Sequence, residues 1–214
     1  MDAEPRVGAG SRVRAVLDGY EAAARPELIA RFDALRPGEI YAPVIDLFPA
    51  AAARVADIGA GTGRDAAWFA ARGHQVLAVE PVRALREAAM RLHDAPQIEW
   101  LDDRLPELEA AQARGPFELV TVSAVWQHLD DDARPLAMAS LAAMAPPGGL
   151  VVLSLRHGPG AAGRQVFPAS PDDAIGTARG CGLELVRRSQ AASVQASNRA
   201  SGVHWTWLAL QRVR

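Results

Sequence analysis

Three glycines and two acidic residues stand at a spacing that suits the binding of a nucleoside. The segment 57–63, DIGAGTG, follows an apolar run and leads into an Ala-rich one. Glycines at such a turn let the backbone approach a ligand closely, and the helix that starts there offers free N–H donors. Glu80 ends the next apolar run, 21 positions after Gly59. An acid at that place accepts hydrogen bonds from ribose hydroxyls, so the unit predicts a nucleoside-containing cofactor.

The spacing of the glycines separates two classes of cofactor. A dinucleotide-binding turn follows G-x-G-x-x-G/A, with a small third residue for close packing of the helix. Counted from Gly59, that third position is Arg64, which disfavours a nicotinamide-dependent oxidoreductase and leaves it as an alternative. The glycines here instead follow D-x-G-x-G-x-G, which resembles the first motif of class I S-adenosylmethionine-dependent methyltransferases.

Four later segments resemble the same family, in the same order along the chain. Glu80-Pro81 is similar to the ribose-binding acid after the second strand. Segment 98–108, IEWLDDRLPEL, resembles the motif whose Asp holds the adenine amino group. Segment 117–129 resembles the fourth strand and the loop that faces the methyl group, and 144–155 resembles the helix, Pro-Gly-Gly turn and fifth strand.

The resemblance implies S-adenosylmethionine as cofactor, with S-adenosylhomocysteine as its product. Asp102 and Asp103 both qualify for the adenine contact, and the sequence does not choose between them. The residues expected to bind the cofactor are Asp57, Gly59, Ala60, Gly61, Gly63, Glu80, Pro81, Asp102, Asp103 and Ser123. An alternative of another class, a non-catalytic S-adenosylmethionine-binding protein, would carry the same motifs.

Methyl transfer from a sulfonium is an in-line displacement with a neutral leaving group, so positioning supplies much of the catalysis. A general base helps only where the acceptor must lose a proton. His128, in the loop after the fourth predicted strand, and His157, after the fifth, are the candidates for that base. The predicted substrate-binding residues are Tyr20, Trp126, His128, Arg156 and His157.

Arg156 and His157 follow an apolar run that suits a central strand buried on both faces. Ligands of open α/β sheets bind outside the carboxyl ends of the strands, so both side chains are predicted beside the substrate. Arg156 offers a planar fork for a carboxylate or phosphate, and His157 titrates near neutral pH. The alternative is that both residues only fix the loop that follows.

Several subclasses of methyltransferase are excluded by residue type. Enzymes that methylate adenine or glutamine nitrogens share an Asn/Asp-Pro-Pro-aromatic motif, where this chain has Ser123-Ala124-Val125-Trp126. Cytosine C5 enzymes need a Pro-Cys nucleophile, and Cys181, the one cysteine, stands in RGCGLELV. Catechol-type enzymes bind magnesium through acids at the ends of the fourth and fifth strands, where Ser123 and Arg156-His157 stand, so no metal is expected.

Elements of an α/β sheet are needed to position these residues. Apolar runs of strand length alternate with helical segments from Arg54 onward, which predicts βαβ units and a parallel sheet. Two late runs have only a polar loop between them and are expected to be antiparallel. The predicted strands are 54–58, 75–79, 97–101, 117–123, 149–155, 183–189 and 203–210, and the predicted helices are 12–36 with a break at Pro26, 39–48, 64–72, 82–93, 106–113 and 132–144.

One domain over residues 1–214 is expected, because the length suits a single α/β domain and no linker is visible. The resemblance implies a doubly wound, seven-stranded, mostly parallel sheet of order 3-2-1-4-5-7-6. It also implies that residues 1–50 form a helical lid over the cofactor-binding core of residues 51–214. Tyr20, Arg31 and Tyr41 are the lid candidates for a contact with the donor or the acceptor, and the sequence does not choose among them.

Composition limits the partners. A net charge of −2 argues against DNA, whose binding needs clustered positive charge. The acceptor is expected to be a small molecule, with a protein or tRNA acceptor left as an alternative. No run is apolar enough for a membrane helix, and a single cysteine with no visible secretory signal predicts a cytoplasmic protein. The chain has no lysine, which excludes Schiff-base chemistry and a Walker A loop. The identity of the acceptor atom, N, O or S, and the oligomeric state are not readable.

Overall fold

A computed structural model of the protein describes residues 9–161 and 163–213. Within them seven strands form one sheet. The strands are β1 (Arg54–Ile58), β2 (Gln75–Val79), β3 (Ile98–Leu101), β4 (Leu119–Val122), β5 (Leu150–His157), β6 (Leu183–Ala192) and β7 (His204–Arg212). Their order across the sheet is β3-β2-β1-β4-β5-β7-β6, which confirms the predicted order.

The first five strands are parallel, and the last two make the antiparallel pair that the short connection predicted. β1 lies in the middle, paired in parallel with β2 on one side and β4 on the other. β7 enters between β5 and β6 and runs antiparallel to both. The chain therefore reverses its winding direction between β1 and β4, and at such a switch point α/β sheets open a crevice for ligands.

Helices cover both faces of the sheet. They are α1 (Ala9–Ala23), α2 (Pro26–Asp33), α3 (Pro37–Ile40), α4 (Arg64–Ala70), α5 (Arg83–Leu92), α6 (Glu109–Gln112), α7 (Arg134–Met144), α8 (Pro171–Gly180) and α9 (Ala196–Ala200). Alternate residues of β1 belong to two separate apolar cores, because successive strand side chains point to opposite faces. One core includes α7 and α8, and the other includes α4 together with Tyr41 and Val44.

The helices differ from the prediction at three places. The helix expected over 39–48 was wrong: α3 ends at Ile40, Pro43 interrupts the segment, and only a 3-10 turn follows at Ile45–Leu47. α8 and α9 were not predicted. The start of α8 carries a readable signal, since Ser170 caps it by accepting a hydrogen bond from the N–H of Asp173 at 3.2 Å, with Pro171 next.

The break predicted at Pro26 is confirmed, because α1 ends at Ala23 and α2 begins at Pro26. The first eight residues of the predicted lid lie outside the described residues. α1 is tied to the core at two points: Arg12 donates to buried Asp130 at 2.9 Å, and Glu21 accepts from the N–H of Ala84 at 3.2 Å. Among the helices that the structure describes, none is long and apolar enough to cross a membrane.

Candidate functional site

A cavity of about 480 Å³ opens at the carboxyl ends of β1, β2, β4 and β5. That volume lies within the range of small-molecule sites. Its floor is the glycine loop over residues 59–62, and α1 covers it with Val13, Val16, Leu17 and Tyr20. The segment after β5 closes another side with Arg164 and Val166. The cavity therefore lies at the switch point of the sheet, where the sequence placed the cofactor.

The three glycines of the loop differ in what stands beside them. Gly59, Gly61 and Gly63 all have positive φ, at 74°, 58° and 79°. A Cβ added to Gly59 would overlap with Cγ2 of Val125, and one added to Gly63 would crowd other protein side chains. A Cβ added to Gly61 would meet nothing nearer than a backbone oxygen at 4.0 Å. Only at Gly61 does the missing side chain leave space in the cavity.

Glu80 lies at the end of β2 and is 4 % exposed. One carboxylate oxygen accepts from the N–H of Gly61 and the other from the N–H of Val82, each at 2.7 Å. Burial raises the pKa of Glu80 to about 7, although these two backbone N–H groups lower it in part. The carboxylate keeps unused lone pairs, because two oxygens can accept about four hydrogen bonds.

Asp57 lies beneath the loop and does not line the cavity. Its Oδ1 accepts from the hydroxyl of Thr121 at 3.0 Å, and its buried Oδ2 has no hydrogen-bond partner among the described residues. Burial raises the pKa of Asp57 to about 7, and the negative charge of Asp65 acts in the same direction. Of the other predicted cofactor residues, Gly63 also lies away from the cavity wall, whereas Ala60, Pro81 and Ser123 line it.

A buried network next to the loop was missed by the sequence analysis. Arg64 binds both oxygens of Asp65 through Nε and Nη2, at 2.7 and 2.8 Å, and donates to the carbonyl of Phe32 at 3.0 Å. Tyr41 donates to the same carboxylate at 3.0 Å and is fully buried. Tyr41 was expected to reach the ligands and instead packs in the core. Arg64 and Asp65 line the cavity, so the residue that broke the dinucleotide pattern joins α2 to the floor of the site.

The two aspartates after β3 are separated by the structure. Asp102 does not line the cavity; its side chain is 66 % exposed and pairs with Arg86 at 2.8 Å. Asp103 lines the cavity, and its oxygens accept from the N–H groups of Arg104 and Ala111 at 2.8 and 2.9 Å. Asp103 is therefore the one that the structure places at the cavity, and the contact with adenine stays a prediction.

Tyr20 of α1 and His128 of the loop after β4 meet inside the cavity. Their rings are at right angles with centroids 5.4 Å apart, and the hydroxyl lies 3.0 Å from Nε2 of His128. Nδ1 lies 2.7 Å from the carbonyl of Gln165, which can only accept. Nδ1 therefore carries the proton and Nε2 is unprotonated, so the hydroxyl of Tyr20 donates a hydrogen bond to Nε2. Burial lowers the pKa of His128, and the charge of Arg164 also lowers it.

Two predicted substrate residues, Trp126 and His157, lie outside the cavity. Trp126 is 1 % exposed and belongs to the apolar core under β4 and β5. His157 hydrogen-bonds through Nε2 to the hydroxyl of Thr206 at 2.8 Å and stacks on His204, with ring centroids 4.7 Å apart. Successive residues of a strand point to opposite faces, so Arg156 and His157 cannot both face one site. The structure therefore brings Arg156 to the cavity and places His157 away from it.

Arg156 and Arg31 of α2 line the cavity. Arg164 and Trp205 line it as well, although neither was among the predicted site residues. Arg156 donates through Nε and Nη2 to the carbonyl of Pro159, at 3.2 and 2.7 Å, and lies 5.5 Å from the centroid of the Trp205 ring. Arg164 lies 5.1 Å from the centroid of the Tyr20 ring. Trp205 lies near the start of β7, and this end of the strand borders the cavity. No signal in the sequence marks Arg164, which stands in a long loop.

Residues 9–161 and 163–213 contain no cluster of three or more His, Cys, Asp or Glu side chains that could hold a metal ion, either inside or outside the cavity.

Comparison with known proteins gives a family and a fold. A family model described as a methyltransferase domain matches residues 29–211. Among solved structures, the 1,6-didemethyltoxoflavin-N1-methyltransferase of Burkholderia thailandensis, with bound 1,6-didemethyltoxoflavin and S-adenosylhomocysteine, is 19 % identical. The match covers 100 % of this chain and 94 % of that one, with a TM-score of 0.75.

Two further structures share the fold. A TehB-like SAM-dependent methyltransferase from Corynebacterium glutamicum is 22 % identical over 92 % of this chain and 98 % of that one, with a TM-score of 0.61. The magnesium protoporphyrin IX methyltransferase of Synechocystis, with bound SAM, is 15 % identical over 99 % and 86 %, also with a TM-score of 0.61. No curated protein sequence matches the chain.

Proposed function

The chain belongs to the methyltransferase family, and from that premise we propose that it transfers a methyl group from S-adenosylmethionine to a small-molecule acceptor without a metal ion. One observation carries the proposal: a single cavity joins the loop of Gly61 and the carboxylate of Glu80 to the Tyr20–His128 pair. The first part suits a nucleoside, and the second suits the removal of a proton from an acceptor. The small-molecule ligand of the Burkholderia relative agrees with an acceptor of this size.

The residues at the glycine loop fit the proposed cofactor. The space above Gly61 would be filled by any side chain, and the free lone pairs of Glu80 suit the hydroxyls of a ribose diol. Glu80, Gly61, Ala60 and Asp103 would hold the nucleoside, with Pro81 and Ser123 beside it. When bound, S-adenosylmethionine supplies a methyl group on a positively charged sulfur, with a neutral leaving group.

The Tyr20–His128 pair supplies a path for a proton. The hydroxyl proton of Tyr20 can move to the bare Nε2 of His128 while the oxygen of Tyr20 takes a proton from a hydroxyl or amine of the acceptor. The carbonyl of Gln165 holds the ring by accepting from Nδ1 and favours the charged imidazolium that results. The positive charge of Arg164 beside the Tyr20 ring offsets part of the rise that burial causes in the pKa of Tyr20.

The N-terminal segment acts as the lid in this proposal, within one domain. α1 covers the cavity, and its contacts through Arg12 and Glu21 fix it to the loop after β4 and to the start of α5. Closing such a lid excludes water from the site and positions the acceptor.

The test is equilibrium binding followed by turnover. Purified protein is titrated with S-adenosylhomocysteine and, separately, with NAD⁺ and NADP⁺, and transfer of labelled methyl groups is then measured on a panel of phenols, amines and thiols. We expect S-adenosylhomocysteine to bind, the dinucleotides not to bind, and at least one acceptor to be labelled. Tight dinucleotide binding would contradict the cofactor, and cofactor binding without turnover on a broad panel would favour a non-catalytic binding protein.

A further inference from the structure

Two arginines of the cavity stand close to the proton-transfer pair. Arg156 lies at the end of β5 and Arg164 in the loop that follows, and both line the cavity that Tyr20 and His128 line. The guanidinium carbon of Arg164 is 5.1 Å from the centroid of the Tyr20 ring and 5.8 Å from that of Phe32. Arg156 rests beside the ring of Trp205. Both cations are thus held by aromatic faces and by the loop, rather than by counter-ions.

Neither arginine has a carboxylate partner among the described residues. The ion pairs of this part of the chain engage other arginines, such as Arg12, Arg64 and Arg86. Arg156 uses two of its five donors on the carbonyl of Pro159, which carries no charge. Nε of Arg164 is buried without a hydrogen-bond partner in the same described residues. A buried guanidinium donor without a partner adds to the cost of burying this positive charge, so the site gains from a negative charge nearby.

The two positive charges also act on each other. Burial lowers the pKa of Arg156, and the nearby charge of Arg164 lowers it further, while Tyr20 acts in the opposite direction. Both side chains remain cationic at neutral pH, because the pKa of arginine is far above it. Two unneutralised cations in one partly buried cavity attract an anion, which would relieve the repulsion between them.

We propose that Arg156 and Arg164 form an anion-binding subsite, and that the methyl acceptor is therefore a small molecule bearing a carboxylate or phosphate group. This inference rests on the proposed function, since it names the class of substrate for the same cavity. The cavity also presents the apolar or aromatic side chains of Val13, Val166 and Trp205 and the polar side chains of Gln195 and Asn198, so it can take an acceptor with an apolar body and further polar groups. Its acidic group binds the arginines and its hydroxyl or amine faces Tyr20.

The experiment uses the full chain saturated with S-adenosylhomocysteine and three probes: benzoate, inorganic phosphate and uncharged benzamide. Each is titrated into the wild type, Arg156→Gln, Arg164→Gln and the control Arg179→Gln, whose exposed side chain lies on α8 away from the cavity. We expect benzoate or phosphate to bind at least about tenfold more tightly than benzamide. We expect both cavity variants to weaken the anion at least about tenfold, and the control to stay within about twofold.

The relative affinity of benzoate and phosphate identifies which acidic group the subsite takes, and a preference for either supports the proposal. An anion affinity equal to that of benzamide, or one unchanged in both cavity variants, would overturn it. If a cavity variant fails to fold, the test is made on the wild type alone. Because salt screens charge interactions, its preference for the anion over benzamide must shrink in 1 M sodium chloride.

The affinity for S-adenosylhomocysteine, measured first in each protein, separates the two proposals. Cofactor binding without an anion preference overturns the subsite alone. An anion preference without cofactor binding overturns the proposed function and supports the subsite.

Discussion

At the scale of single residues, the buried carboxyl of Glu80 couples cofactor binding to pH. Burial places the pKa of Glu80 at about 7, so the carboxyl holds its proton at lower pH. Ribose hydroxyls donate to the ionised form, so the affinity for S-adenosylhomocysteine should fall as pH decreases below 7, by up to about tenfold per unit. Calorimetric titration from pH 5.5 to 8.5 measures this slope.

The matched variant is Glu80→Gln, which is neutral at every pH. We expect it to bind about 1.5–3 kcal/mol more weakly at pH 8, as for a lost hydrogen bond to a charged group, and to lack the extra slope. An identical slope in both proteins would show that Glu80 is not the titrating group.

Asp57 should act on stability rather than on binding. Burial and the charge of Asp65 raise the pKa of Asp57 in the folded protein to about 7, above its unfolded value near 4. Between these values the folded state keeps a proton that the unfolded state releases, so the free energy of unfolding falls as pH rises through this window. Asp57→Asn should lose less stability than the wild type between pH 4.5 and 7.5 in urea unfolding.

Asp131→Asn is the control for this comparison, because the side chain of Asp131 is 93 % exposed. Its stability should follow pH as in the wild type. The idea fails if Asp57→Asn and Asp131→Asn show the same dependence.

Tyr20 and His128 should behave as one unit in turnover. Tyr20→Phe removes the hydroxyl that donates to Nε2, and His128→Asn removes the proton acceptor. General-base catalysis contributes about 10²–10⁴-fold, so each variant should lose at least about 100-fold in kcat and the double variant little more. The affinity for S-adenosylhomocysteine should stay within about twofold in each variant. Losses in kcat that are fully additive in free energy in the double variant would show that the two residues act independently. Burial lowers the pKa of His128, so its imidazole stays neutral and able to accept a proton at lower pH. Turnover should therefore persist at pH values below the usual pKa of histidine.

A larger share of the predicted cofactor residues than of the predicted substrate residues lines the cavity. Glu80, Gly61 and the pair Asp102 and Asp103 belong to local motifs. The motif leaves open which aspartate faces the cavity, and in the structure it is Asp103. Arg164 and Trp205 reach the cavity through a long loop and an antiparallel strand that comes late in the chain. Contacts of such separation leave no periodic pattern in the sequence. Arg156 and His157 were treated as a pair in the sequence, but as neighbours on one strand they point to opposite faces, and only Arg156 lines the cavity.

At the scale of elements, the glycine loop should separate folding from binding. Gly59→Ala places a Cβ against Val125 at a positive φ, so it should destabilise the protein by more than the roughly 1–2 kcal/mol of a left-handed residue, and Val125→Ala should restore part of the loss. Gly61→Val carries the strain of a β-branched residue at φ 58° but meets no neighbouring side chain, so it should be less stable yet remain folded and lose S-adenosylhomocysteine binding. Thermal unfolding and calorimetry on both variants test this contrast.

Gly38→Ala is the neutral control, since Gly38 has no neighbour that an added Cβ would meet. Retained cofactor binding in Gly61→Val would mean that the loop is a structural turn only.

The strands were predictable because buried parallel strands appear as short apolar runs between helices. β1 and β2 have the predicted bounds, and β5, β6 and β7 extend two or three residues further toward their carboxyl ends. The segment 39–48 has a mixed apolar pattern that suits a helix until Pro43 is considered. Its residues Tyr41 and Val44 serve the core instead, which only the packing of α4 against them reveals.

At the scale of the whole molecule, the fold brings together residues that are far apart in sequence. Tyr20, Glu80, His128 and Arg164 come from four separate segments and meet in one cavity because the carboxyl ends of β1, β2, β4 and β5 share one edge of the sheet. The single domain, the cytoplasmic location and the absence of a DNA partner stay predictions from composition.

The most direct test of the cofactor and acceptor sites is a crystal structure with S-adenosylhomocysteine bound. We predict the ribose hydroxyls within hydrogen-bonding distance of the Glu80 carboxylate and the backbone of Gly61 against the ligand. We also predict that the sulfur points toward the Tyr20–His128 pair, with Arg156 and Arg164 beyond it. A ligand bound elsewhere, or a sulfur that points away from Tyr20 and His128, would contradict the placement of donor and acceptor in this cavity.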